Sequence, residues 1–161
     1  MRAAQGLYEA GHITYMRTDS TRTSPLSRQK AKEKITTNWG AELIGRGIGG
    51  GKQKGSVQDA HEAIKPTNPT VEIPKGLDDS QARLYRLIWS RFIASQMCES
   101  EWTSMKIEAK LEPFDKVLEG DTKWRVKAGW ELAFEGLDKP PTSSPHSPEI
   151  TEGSSVNLDS K

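Results

Sequence analysis

The spacing of hydrophobic residues changes partway along the chain. Up to about residue 98 they recur three or four positions apart, and beyond about residue 102 at every second position. Residues 2–10 put Ala3, Ala4 and Leu7 on one side, and Gly11 follows where a left-handed glycine stops a helix, so a helix is predicted there. His12-Ile13-Thr14-Tyr15 is short and β-prone, and residues 17–24 have the polar composition of a loop. Ser24 and Pro25 supply a capping hydroxyl and a first-turn proline. They open a second predicted helix that runs to about Trp39, with Leu26, Ala31, Ile35 and Trp39 inward and Gly40 ending it. Residues 45–55 hold six glycines with Arg46, Lys52 and Lys54, a flexible basic loop by composition. Residues 56–65 begin with helical character, which Pro66 and Pro69 prevent from continuing.

A third helix is predicted over about 80–98, capped by Asp79 or Ser80. Leu84, Leu87, Ile88, Arg91, Ile93 and Met97 recur at helical spacing, with Trp89 and Phe92 adding bulk. The period then becomes two through Trp102, Met105, Ile107, Ala109 and Leu111. Phe114, Val117 and Leu118 follow, then Trp124, Val126 and Ala128, then Leu132 and Phe134. Gly120-Asp121 and Gly129 read as turns in a small antiparallel sheet. The fold class expected is therefore α+β. A helical, tyrosine-bearing domain would cover 1–75 and a helix plus antiparallel strands 76–137, before a disordered Pro-, Ser- and Thr-rich tail over 138–161. With no lead-in before the first amphipathic segment, the chain is expected to start within a domain.

The net charge of +1 hides an asymmetry. Residues 1–70 carry 11 Lys/Arg against 6 Asp/Glu, and residues 101–161 carry 8 against 12. The basic half suits a phosphate-facing surface as well as it suits solvated helix faces. The single cysteine, Cys98, rules out an intrachain disulfide and fits a reducing, cytoplasmic compartment. No apolar run reaches membrane-spanning length, so no membrane partner is expected.

The chemistry gathers around Tyr15. Arg17, Asp19 and the hydroxyls of Thr14, Thr18, Ser20 and Thr21 fall within seven positions of it. A tyrosine can attack a phosphodiester, but a phenol with an ordinary pKa near 10 needs a neighbouring cation to favour the phenolate. Arg17 can supply that charge and grip phosphate oxygens in a bidentate way, and Asp19 can orient Arg17 or handle a proton. Taken alone, such a pair is usually a structural tyrosine beside a surface arginine.

The wider sequence changes that weighting. The stretch Leu7-Tyr8-Glu9-Ala10-Gly11-His12-Ile13-Thr14-Tyr15-Met16-Arg17-Thr18-Asp19-Ser20 closely resembles the active-site segment of type IA DNA topoisomerases. Asp59-Ala60-His61-Glu62-Ala63-Ile64-Lys65-Pro66-Thr67 is similar to a second motif of that family. Leu84 to Met97 is similar to the helix leading into its gate domain. The three blocks keep the family's order and spacing, and the resemblance covers roughly residues 2–136. It implies that Tyr15 is the nucleophile, forming a 5′-phosphotyrosine with single-stranded DNA. Arg17 would position the scissile phosphate and Asp19 would support it. His61 would contact a nearby DNA phosphate, Thr18 would join the DNA-binding set, and Glu9 would play a supporting part. Lys65 departs from the arginine of many bacterial members, which keeps the charge and loses the bidentate fork.

The resemblance further implies a Mg2+ ion held by a separate acidic domain. This sequence carries no matching Asp-x-Asp plus Glu cluster, so the chain is expected to need missing topoisomerase domains in cis or in trans. If bacterial, it would sit beside the nucleoid. His12 and His61 lack metal spacing, so no metal site is expected within the chain. Gly49-Gly50-Gly51-Lys52 lacks the upstream glycine and the Ser/Thr of a phosphate loop. Trp89, Trp102, Trp124 and Trp130 fall at core positions more readily than at base-stacking ones. The alternative function is a remnant that binds single-stranded DNA without cleaving it.

Overall fold

The computed structural model describes residues 1–48, 61–111, 115–137 and 151–153. Its order is α1 (Arg2–Glu9), α2 (Pro25–Trp39), α3 (Asp79–Ala94), β1 (Glu101–Leu111) and β2 (Lys116–Lys127), with 3-10 segments at Ala41–Leu43 and Gly129–Phe134. This is the α+β class expected. The glycine-lysine run 49–55, the segment 56–60, Phe114 and nearly all of the tail lie outside the described residues.

The three helices share one core. Leu7, Ile13, Ala31, Ile35, Tyr85, Trp89, Phe92, Ile93 and Met97 are buried together, so residues on both sides of position 75 fill it. Each large apolar side chain buried there contributes about 1.5–3 kcal/mol. Trp89 sits at the centre, its indole N–H donating to the Pro69 carbonyl at 2.9 Å. The Arg86 guanidinium lies over its ring, 5.0 Å from the centroid, and also pairs with Glu72. The Tyr85 hydroxyl donates to the Val71 carbonyl at 2.9 Å, and burial pushes its pKa up to about 12.

Helix α2 starts and stops where the sequence indicates. The Ser24 hydroxyl accepts from the Ser27 N–H, Pro25 opens the first turn, and Gly40 closes the helix at φ 109°. Its inward face differs by one position. Ser27, Ala31 and Ile35 are buried and Leu26 is 62% exposed. The contact stripe runs at four-residue spacing, and Leu26 sits about 100° around the helix from Ser27.

Helix α3 begins one residue earlier than expected and ends sooner. Asp78 is the cap: its carboxylate accepts from the Gln81 backbone N–H at 2.8 Å, and the Gln81 side-chain Oε1 accepts from the Asp78 backbone N–H at 3.2 Å. Beyond Ala94 the helix tightens into three-residue bonds, Gln96 N–H to Ile93 O at 2.9 Å and Met97 N–H to Ala94 O at 3.1 Å, and the chain pairs with the segment after α2. Gly45 N–H donates to Gln96 O at 2.9 Å, Cys98 N–H to Leu43 O and Ile48 N–H to Ser95 O, both at 2.8 Å. Gly45 is required there, because a Cβ would stand 2.1 Å from the Met97 carbonyl oxygen. Leu87 and Arg91 do not join the buried stripe. That stripe runs through Tyr85, Trp89, Phe92 and Ile93, with Leu87 about 200° around the helix from Trp89.

The sheet has two antiparallel strands. Gly120 and Asp121 are not a turn: they lie inside β2, opposite Ile107 and Lys106. The ladder continues through this turn-like dipeptide, and the Lys106 ammonium ties Glu108 at 3.3 Å to Glu119 at 3.1 Å. Leu132 and Phe134 belong to no strand. They lie in the 3-10 segment packed on α3, which Gly129 opens at φ 53°. Residues 61–65 are irregular rather than helical. Pro66 restricts the residue before it, and partners across from Thr14 take up the backbone groups that a helix would need.

At the root of the hairpin, the buried Glu131 carboxylate accepts from Trp102 Nε1 at 3.1 Å and from Arg125 Nη1 at 2.9 Å. Burial alone would raise its pKa. Hydrogen bonds from Ser100, Arg125 and Trp102, with the Arg125 charge, outweigh burial and hold it below the usual carboxylate range.

Candidate active site around Tyr15

The local fold around Tyr15 is a two-stranded stitch between distant segments. Ile13 bridges Pro66 in antiparallel fashion. Thr14 N–H donates to Lys65 O and Thr67 N–H to His12 O, both at 3.0 Å, and Ala63 N–H to Arg22 O at 2.7 Å. The Thr14 hydroxyl donates to Ala63 O at 2.7 Å and accepts from the Lys65 N–H at 2.9 Å. The Thr67 hydroxyl donates to Gly11 O at 2.7 Å. The residue before the tyrosine is thereby fixed to a segment about fifty positions away.

This stitch closes a cavity of about 160 Å³ lined by Thr14, Tyr15, Thr18, His61 and Glu62. Tyr15 is 41% exposed, so the fold does not enclose it. The Tyr8 ring meets it edge to face, with centroids 5.1 Å apart. Thr18 Oγ1 accepts from the Ser20 N–H at 3.1 Å, and Ser20 Oγ from the Arg22 N–H at 3.2 Å. Those two turns curl the polar loop tightly after the tyrosine.

Of the residues singled out from sequence, the fold brings Tyr15, Thr18 and His61 to one cavity. Arg17, Asp19 and Glu9 do not line it. Arg17 and Asp19 are exposed and form no ion pair with each other, so Asp19 does not orient Arg17 in this state. Glu9 accepts from Gln5 Nε2 at 2.9 Å on the outer face of α1. Among the described residues no hydrogen bond or ion pair engages the Arg17 side chain.

Sequence reasoning passed over two features. Glu62 lines the cavity, although it stands beside His61 in the second block. Lys65, only 3% exposed, pairs its ammonium with Glu62 Oε2 at 3.0 Å. A nearly buried lysine needs a counter-charge, and its helix-like spacing from Glu62 gave the only hint. Among the described residues no group of three or more His, Cys, Asp or Glu could hold a metal ion. No helix among them is long and apolar enough to cross a membrane.

A tyrosine nucleophile candidate and a histidine on one cavity, set on an α+β frame, define a class that comparison with known proteins identifies. The family model for DNA topoisomerase matches residues 1–161, and the chain belongs to that family. Within it the chain stands with the type IA enzymes and is similar to bacterial members. It is 39% identical over 151 residues to DNA topoisomerase 1 of Thermotoga maritima, covering 86% of this chain and 23% of that protein. It is 38% identical over 150 residues to DNA topoisomerase 1 of Fervidobacterium islandicum, covering 83% and 21%. The solved full-length topoisomerase I of Thermotoga maritima superposes with a TM-score of 0.69 at 32% identity, covering 91% of this chain and 25% of that one. The chain thus spans under a quarter of the length of these curated relatives.

Proposed function

We propose that this chain carries the covalent centre of a type IA DNA topoisomerase. The observation that supports it most directly is the cavity where Tyr15 meets Thr18 and His61, in a chain of that family. In the proposed step the Tyr15 phenol oxygen attacks a phosphodiester of single-stranded DNA. The new O–P bond gives a 5′-phosphotyrosine, and the P–O3′ bond breaks. The phenol gives up one proton and the departing 3′ oxygen gains one. Attack by that 3′-hydroxyl reverses the step and reseals the strand after the topology has changed.

Arg17, with its donors unengaged, supplies charge and hydrogen bonds to the phosphate as negative charge builds. His61 and Thr18 contact the strand from the cavity wall. Asp19 and Glu9 act from further out, as part of the electrostatic surroundings. Residues up to about 75 form the tyrosine-bearing part and 76–137 part of the gate. The magnesium that the family implies would be supplied by an acidic domain outside this chain, because the described residues do not fit it.

The test is covalent trapping. Labelled single-stranded oligonucleotide is mixed with the chain and magnesium, with and without a separately supplied acidic domain. A denaturant-resistant adduct is expected only with that domain present, and Tyr15→Phe should abolish it. Arg17→Ala should lower its rate by about 100-fold. Folded chain that binds the oligonucleotide but yields no adduct under either condition would replace this reading with that of a single-strand-binding module.

A further inference from the structure

A second, larger cavity of about 920 Å³ lies between the end of α3, the segment 44–48 and the 3-10 segment 129–134, and shares no described residue with the Tyr15 cavity. Two arginines line it, Arg46 from the segment after α2 and Arg91 from the last turns of α3. Both are exposed, and neither forms an ion pair or side-chain hydrogen bond among the described residues. Trp130, 41% exposed, and Phe134 make an aromatic wall, their rings edge to face with centroids 5.7 Å apart.

The wall that carries Arg46 is set in advance. Gly45 and Ile48 are bonded to the end of α3, and the fully buried Gln96 donates its amide to Ile48 O at 3.1 Å and Ser95 Oγ at 2.9 Å. The volume falls in the range of small-ligand pockets. Arg91 also complements the helix dipole, a role that leaves its five donors free. Glu99 lines the cavity too and would keep phosphates on the arginine side.

We propose that this cavity is a second contact site for single-stranded DNA, seating one or two nucleotides with bases against Trp130 and Phe134 and phosphates on Arg46 and Arg91. An exposed indole backed by Phe134, beside guanidinium groups unpaired among the described residues, is what strand binding without sequence preference requires. The inference rests on the reading of the chain as a DNA-handling protein and extends it to a surface away from Tyr15.

The single cysteine, Cys98, lines this cavity and makes occupancy measurable. Its alkylation by a small maleimide is followed in the full chain, with an oligodeoxynucleotide or with an equal nucleotide concentration of a deoxynucleoside monophosphate. With the strand at ten times its dissociation constant, about a tenth of the sites stay open and labelling should slow about tenfold. The mononucleotide should protect little. In R46A/R91A the protection should vanish while circular dichroism stays the same, and the salt slope of strand binding should fall by about 1.4, for two phosphates.

Unprotected Cys98, protection that survives R46A/R91A, or equal protection by the mononucleotide would overturn the proposal. An adduct on Tyr15 with Cys98 unprotected would leave the covalent-centre reading standing and remove this site. Protection of Cys98 without an adduct, even with magnesium and the acidic domain supplied, would do the reverse.

Discussion

The helical body and the hairpin are built on opposite principles. In the body, three helices and the strap over 61–71 close on one core in which Trp89, Tyr85, Leu7, Ile35 and Ile93 have no more than 1% of their surface exposed. In the hairpin, two strands of 11 and 12 residues pair mainly with each other. Val117, Leu118 and Val126 stand in the open. Met105, Ile107 and Ala109 share a face with Leu118 and Trp124 and are only half-buried. A two-stranded ribbon has too little to bury to be stable by itself. Its anchorage is the Glu131 junction, where one carboxylate gathers donors from β1 and β2. The comparison separates stability that comes from volume from stability that comes from a polar clasp.

The largest effect should come from the volume side. Trp89→Ala should cost about 3–5 kcal/mol, as a lost large aromatic core residue does, and thermal unfolding of body and hairpin together would show it. A loss under 1 kcal/mol would mean that the core is not what holds the body. Next comes the clasp. Glu131→Gln removes the charge that Arg125 answers and should cost about 1.5–3 kcal/mol, with hydrogen exchange rising in 101–127 before it rises in α3. Since the folded carboxyl is held below its unfolded pKa, this contribution is present above the unfolded value, about 4.3. It disappears as pH falls through the folded value. Wild type should therefore lose hairpin protection in acid, and the Gln variant should show no such step. The smallest effect belongs to the ribbon: Ile107→Thr should change stability by less than about 0.5 kcal/mol. A large loss would show that its half-buried face is more tightly packed than the strands alone suggest.

Much of the body was legible because local signals and tertiary packing agree there. Ser24-Pro25 and Gly40 bound α2, and the stripe from Tyr85 to Ile93 marks α3. What was misread turned on partners distant in sequence. Gln96 to Cys98 keep helical spacing, yet the α-helix ends in a tightened turn there, where Leu43, Gly45 and Ile48 bond the Cys98 amide and the carbonyls of Gln96 and Ser95. Gly120-Asp121 carries the chemistry of a turn, yet the ladder runs through it while the chain reverses near Asp115, at φ 46°. At the site, the blocks around Tyr15 and His61 were visible as motifs. Their convergence was not, because it depends on the Thr14 hydroxyl meeting Ala63 and Lys65. The Glu62–Lys65 pair was missed because a lysine in a polar stretch gives no sign that its ammonium will be buried.

That Thr14 hydroxyl acts as an interlock. The phenol is one residue away and Thr18 is close in sequence, but the His61 and Glu62 wall belongs to the segment about fifty positions away, and closing so long a loop costs chain entropy. An unfolded chain carries the tyrosine without His61 and Glu62 gathered beside it. Any change that parts residues 11–15 from 61–67 therefore takes the cavity apart as it loosens the fold, and a misfolded copy has no assembled site around Tyr15.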